Sequence, residues 1–117
     1  MIEAVNSFIH ALKKQTHILP LIHQKELTVN LKTNDEIIQL SIQKGQISIM
    51  TAGQEQPTIF EISGNPDNLN RLLTGKERLR TLERSGNLTV TAPLRTILLL
   101  ESIFFLTQSD RYLEKII

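Results

Sequence analysis

The chain has 117 residues, of which 40% are hydrophobic and 21% charged, and its formal net charge is +1. This length and composition predict one ordinary globular domain over residues 1–117 rather than a disordered segment. A net charge so close to zero gives no bulk electrostatic case for nucleic-acid binding, and the lack of cysteine excludes disulfides, thiolate nucleophiles and cysteine-ligated zinc.

The N-terminal stretch MIEAVNSFIHALKK is predicted to form an amphipathic helix. Its apolar residues recur at helical spacing, and its two lysines suit the negative end of the helix dipole. Glu3 and the polar interruptions do not fit a signal peptide, and the residues YLEKII match no common address or lipidation signal. We therefore expect a cytoplasmic protein.

Three histidines, His10, His17 and His23, lie in this helix and in the connector that follows it. Their spacings of seven and six residues do not match a helical metal pair at i and i+4. We expect solvated or capping histidines and no metal. The sequence also lacks the glycine-rich nucleotide motifs and the nucleophile elbow G-x-S-x-G. We therefore expect no enzymatic activity and no cofactor.

Alternation with a period of two then predicts four successive strands, in the segments ELTVNLK, EIIQLSIQ, QISIMT and TIFEIS. Lys44-Gly45 is predicted to form a tight hairpin between the second strand and the third. Because each segment has one apolar and one polar face, we expect a four-strand antiparallel meander that is covered on one side.

The second half begins with a helix-start signal, Asn65-Pro66-Asp67, which supplies a cap, a proline at the first helical position and an acid in the first turn. Gly75 is well placed to end that helix. The segment KERLRTLERS predicts a second short helix and NLTVTA a fifth strand, and Pro93 opens the last helix. This order predicts an α+β domain with helices packed on a sheet.

A locally basic stretch, RLLTGKERLRTLER, covers the two short helices, with five basic residues against two acidic ones. The solvated face of two surface helices is the ordinary explanation. The functional alternative is a transient contact with anionic lipid headgroups, because basic side chains are attracted to such a surface.

The last helix contains the run ILLLESIFFL and is apolar nearly all round. The run is too short to span a bilayer, which takes about 20 apolar residues, so we expect protein or a ligand to cover it on more than one side. Packing on other helices or on a second copy of the chain is favoured by the pattern. The alternative is that one side lines a cavity for an apolar ligand, and solvent exposure is the least expected outcome.

Glu101 is the carboxylate inside this run, and two roles are open for it. The first, favoured by the rarity of buried unpaired acids, is a carboxylate at the helix edge that reaches water, a lysine or an arginine. The second is a polar anchor at a cavity mouth that accepts a hydrogen bond from a ligand.

The segment IFEISGNPDNLNRLLTGKERLRTLERSGNLTVTAPLRTILLLESIF resembles the sterol carrier protein type 2 family, also called SCP-2-like. The likeness is in the order of its parts: a strand, a leucine-rich short helix, a Thr-Gly pair, a second short helix, Gly-x-hydrophobic-x-hydrophobic and an apolar helix. It covers about residues 26–107. One departure is Ala92, where the family commonly has a glycine.

The resemblance implies a five-stranded, mainly antiparallel sheet with helices packed on one face and a hydrophobic tunnel for lipid. It carries no shared catalytic residues. We expect a non-enzymatic carrier of a fatty acid, acyl conjugate, sterol-like or isoprenoid lipid, or alternatively a protein-interaction or homodimerisation domain whose last helix is buried at an interface. The candidate ligand-binding residues, between the apolar sheet face and the last helix, are Ile49, Phe60, Ile62, Leu69, Leu79, Leu82, Ile97, Leu100, Glu101, Phe104 and Phe105.

Overall fold

The computed structural model describes residues 2–15, 20, 26–50 and 59–107. The helices and strands of these residues follow one another in the predicted order. They are α1 (Ile2–Lys13), β1 (Leu27–Lys32), β2 (Ile37–Gln43), β3 (Gln46–Met50), β4 (Ile59–Gly64), α2 (Pro66–Leu73), α3 (Leu79–Arg84), β5 (Leu88–Thr91) and α4 (Leu94–Thr107).

The five strands form one sheet in the order β3-β2-β1-β4-β5. The pairs β1–β2, β2–β3 and β4–β5 are antiparallel, which confirms the mainly antiparallel sheet. The four-strand meander is wrong in its last step, because β4 pairs with β1, in parallel, rather than with β3. Alternation assigns each residue to a face of the sheet but does not determine which strands become neighbours.

The hairpin between β2 and β3 forms at the predicted pair. Lys44 and Gly45 both have positive φ, 52° and 76°, and Gln43 faces Gln46 across the turn. Two consecutive residues with positive φ match the right-handed twist of the flanking strands. This turn therefore fixes the register of the β2–β3 pair.

The core lies on the apolar face of the sheet, where the helices pack. Strand residues such as Val29, Leu40 and Ile62 form one buried cluster with Phe8 of α1 and Phe104 of α4. The opposite face carries the polar residues of each strand. The structure buries three of these, Thr28, Gln39 and Ser41, although the sequence predicted a solvated face. They lie on β1 and β2, which each have a neighbouring strand on both sides.

The helix α2 begins as predicted, because the Asn65 side-chain oxygen accepts a hydrogen bond from the Asn68 backbone at 2.8 Å. Gly75 has a φ of 78° and follows the end of the helix. The helix α3 is shorter than predicted. The backbone N–H groups of Lys76 and Glu77 donate to the Arg71 carbonyl and so close the end of α2, and α3 begins only at Leu79.

The helix α4 is buried on one side only. Ile97, Leu100, Ile103, Phe104 and Thr107 are buried there, and α1, α2 and α3 all contact this helix. On the other side Leu94, Leu98 and Leu106 are 58%, 42% and 44% exposed, which contradicts the expectation that this helix is covered on more than one side and that exposure is the least expected outcome. The residue types of this helix show that it is apolar but do not show how many of its sides pack against other helices or the sheet.

No helix in the described part of the chain is both long enough and apolar enough to cross a membrane.

Candidate functional site

The candidate wall residues mostly come together in the core between the sheet and the helices. Ile62 from β4 is fully buried in one cluster with residues from all three later helices. The other fully or nearly fully buried members are Leu69, Leu79, Leu82, Ile97, Leu100 and Phe104. Residues from α2, α3 and α4 thus face the same side of the sheet, which is the arrangement that the expected tunnel requires.

Three candidates lie at the margin of this core. Phe60 is half-buried and packs against the core from β4. Phe105 and Glu101 are half-buried on α4. A fourth candidate, Ile49, lies on β3 at the edge of the sheet and is 38% exposed, so the structure does not bring it into the buried group.

Two contacts join α3 to α4, and we call them the α3–α4 seam. The Arg80 backbone N–H donates a hydrogen bond to the Glu101 carboxylate at 2.9 Å. The Arg78 guanidinium carbon lies 4.4 Å from the centre of the Phe105 ring, within the range of a cation–π contact. A carboxylate at the start of a helix is favourable because the first N–H groups of a helix lack partners within it.

Of the two roles considered for Glu101, the observed position is nearer to the helix-edge role. Its hydrogen-bond donor is a backbone N–H group rather than water or a basic side chain. The residue at the N-cap of α3 is Arg78, which makes no capping hydrogen bond with its own side chain. Glu101 therefore supplies from α4 the acceptor that α3 lacks.

Away from the α3–α4 seam, α4 packs against α1. The rings of Phe8 and Phe104 lie 4.9 Å apart at an angle of 40°. The Gln15 side-chain amide also donates to the Thr107 carbonyl at the end of α4. Phe104 is thus packed tightly, whereas Phe105, on the other side, faces the α3–α4 seam.

A concave region that was not predicted lies on the strand face opposite the helices. It has a volume of about 430 Å³ and includes Lys32, Glu61, Ser63 and Thr89 in its lining. Lys32 faces Ser63 across β1 and β4, and Ser63 faces Thr89 across β4 and β5. The alternation of polar residues in these strands was the available signal. A lining of this kind does not suit an alkyl chain.

Among the described residues, no cluster of three histidine, cysteine or acidic side chains could hold a metal ion. His10 is exposed on α1, whereas His17 and His23 fall outside the described residues. In the basic stretch Arg71 and Glu77 form an ion pair at 3.1 Å, and both side chains remain partly exposed.

Known proteins share this arrangement of helices and strands. The SCP-2 sterol transfer family matches residues 5–105. A solved structure described as the UbiJ-SCP2 ubiquinone synthesis protein is similar with a TM-score of 0.63 at 14% sequence identity, over 85% of this chain and 83% of that chain. Apo sterol carrier protein 2 from Yarrowia lipolytica gives a TM-score of 0.57 at 15% identity, over 88% of each chain.

The same fold also occurs inside a larger enzyme. The sec-alkylsulfatase Pisa1 from Pseudomonas sp. is similar with a TM-score of 0.59 at 15% identity, over 74% of this chain but only 13% of that chain. No curated protein matches the sequence. At such low identities these structural likenesses define the fold and not a ligand.

Proposed function

The chain belongs to the SCP-2 sterol transfer family, and on that premise we propose that it is a non-enzymatic carrier that holds an apolar lipid in a hydrophobic tunnel. The tunnel lies between the apolar face of the sheet and α4. The observation that carries this proposal is the family match across residues 5–105. We further propose that residues 1–117 act as a single domain in the cytoplasm.

The proposed ligands are a fatty acid, an acyl conjugate, a sterol-like lipid or an isoprenoid. The likeness to a protein described as acting in ubiquinone synthesis supports including an isoprenoid quinone among the candidates. Burying an alkyl chain would contribute about 0.8 kcal/mol per CH₂ group. Affinity would therefore grow with chain length, and a polar headgroup would add orientation rather than most of the binding energy.

The proposed entrance is at the α3–α4 seam. Phe105 and Glu101 are half-buried there, and Arg78 stacks on the Phe105 ring. An alkyl chain entering at this point would pass between α3 and α4 toward Leu79, Leu82 and the core. Arg78 or Glu101 would then be close to the ligand's headgroup.

We propose no catalytic role for any residue. The family resemblance carries no shared catalytic residues. In the alkylsulfatase the corresponding fold makes up only 13% of the chain. A carrier domain can form part of an enzyme without performing the reaction itself.

The uptake test uses delipidated protein titrated with a fluorescent fatty acid, which is then displaced by sterols, acyl conjugates and isoprenoid quinones. Phe60→Ala and Phe105→Ala change half-buried wall residues, and we expect about tenfold weaker uptake because each removes apolar contact area. Ile37→Ala is the matched control, because Ile37 is 50% exposed and points away from the helices. Uptake unaffected by both phenylalanine changes, in protein with normal thermal stability, would reject this placement of the tunnel.

A protein-interaction or homodimerisation domain is the second candidate. The exposed leucines of α4 are the observation that favours it. Sedimentation over a range of protein concentrations separates the two functions, since a dimer across α4 would dissociate on dilution or after Leu98→Ser.

A further inference from the structure

One side of α4 presents apolar side chains to solvent. Leu94, Leu98 and Leu106 are 58%, 42% and 44% exposed, and Phe105 is half-buried beside them. We call these four residues the leucine face. Exposed leucines are common singly, so it is their grouping on one helix that points to an interaction surface.

Three residues of the leucine face form one stripe because of helical geometry. At about 100° per residue, Leu94, Leu98 and Phe105 point within about 40° of one another, whereas Leu106 lies about 80° beyond Leu98, on the far side of Arg95. The stripe runs for about 17 Å along the helix, since each residue advances about 1.5 Å. It therefore lies along the protein surface rather than at one point on it.

Positive charge lies on both sides of this stripe. Arg78 is exposed on one side, with its guanidinium 4.4 Å from the Phe105 ring. Arg95 is exposed in the first turn of α4 on the other side. The acidic residue within the described part of α4, Glu101, accepts a hydrogen bond from the Arg80 backbone and is only half-exposed. The stripe thus combines apolar contact with cations.

We propose that the leucine face, with Arg78 and Arg95, docks the protein on an anionic lipid bilayer. Leucine and phenylalanine side chains enter the boundary between headgroups and acyl chains, while flanking arginines contact lipid phosphates. Arginine suits this position because its guanidinium stacks on an aromatic ring and still donates to phosphate oxygens.

A stable protein partner fits this surface less well. Three partly exposed leucines and one half-buried phenylalanine offer much less than the roughly 800 Å² per partner that a stable complex buries. A bilayer needs no such matched area, because weak and reversible adsorption is sufficient for exchange of a carried lipid. The biological purpose of docking rests on the proposed carrier function. The exposed apolar side chains and the flanking arginines that support docking do not depend on that function.

The test measures binding of the full chain to sedimented vesicles. One set contains phosphatidylcholine alone, and the other contains phosphatidylcholine with about one third phosphatidylglycerol. We expect binding only to the anionic vesicles, about tenfold weaker binding for Leu94→Ser combined with Leu98→Ser, and about fivefold weaker binding for Arg78→Gln or Arg95→Gln. High salt should weaken binding by the wild-type chain.

Two matched controls use exposed residues of the same types on other surfaces. Ile37→Ser removes an apolar side chain that is 50% exposed on β2, and Lys13→Gln removes an exposed cation from α1. Neither should change vesicle binding. All the substituted residues are exposed, so thermal unfolding should show native stability for each variant.

Three vesicle-binding results would overturn the proposal. They are no binding to anionic vesicles, equal binding to neutral vesicles, and binding that survives the double leucine change. A concentration-dependent dimer that this double change dissociates would assign the surface to a second copy instead. Failure of vesicle binding leaves fatty-acid uptake measurable, so failure of the docking surface and failure of the carrier function are separate results.

Discussion

At the scale of single residues, Glu101 explains why a carboxylate interrupts an apolar helix. The helix α3 has Arg78 at its N-cap, a residue with no side-chain oxygen to accept from the first N–H groups. The Glu101 carboxylate fills that role from α4, with the Arg80 N–H as its donor. One acidic residue thus attaches a six-residue helix that has little stability of its own.

Glu101→Ala should lower the free energy of unfolding by about 1 kcal/mol, the usual effect of losing a helix cap. Glu101→Gln should lower it less, because an amide oxygen still accepts from Arg80. Urea denaturation of both variants measures the difference. The nearby Ser102→Ala is the control, since the Ser102 hydroxyl donates only to the Leu98 carbonyl of the same helix. An alanine variant as stable as wild type would show that the cap contributes nothing.

The sequence does not predict which residue accepts a hydrogen bond from the first backbone N–H groups of α3. Glu101 and Arg80 are 21 positions apart, and α3 begins three residues later than its pattern predicted. Only the packing of α3 on α4 brings the two groups together. The apolar candidates were easier to identify, because buried residues such as Leu69, Leu82 and Leu100 follow helical spacing.

At the scale of elements, α2 is the helix whose ends depend most on local sequence. The Asn65 side chain caps its start at 2.8 Å, Pro66 occupies its first position, and Gly75 follows its end with positive φ. These signals act over a few residues, and all were predicted correctly. The sequence of α4 contains no comparable signal, because its apolar residues do not show which side packs against other elements.

Asn65→Ala should destabilise the protein by about 1 kcal/mol, since the Asn68 N–H would lose its side-chain acceptor. Asn70→Ala in the same helix is the matched control. Asn70 is exposed at a mid-helix position, where alanine has the higher helix propensity, so its replacement should be neutral or slightly stabilising. Chemical denaturation compares the pair, and equal effects at both positions would contradict a specific capping role.

At the scale of the whole molecule, the sheet order was the main feature that the sequence did not determine. The hairpin at Lys44-Gly45 links neighbouring strands and was identified from its own residues. The parallel β1–β4 pair joins segments about 30 residues apart, and no local signal specifies it. This pair places β4, and with it Phe60 and Ile62, near the centre of the sheet and beneath the helices.

Native mass spectrometry of the freshly purified full chain would show whether this arrangement of sheet and helices holds a lipid. The carrier function predicts a discrete added mass that organic extraction recovers as a fatty acid, acyl conjugate, sterol-like lipid or isoprenoid. A chain that carries no added mass and also takes up none of these lipids when they are supplied would contradict it.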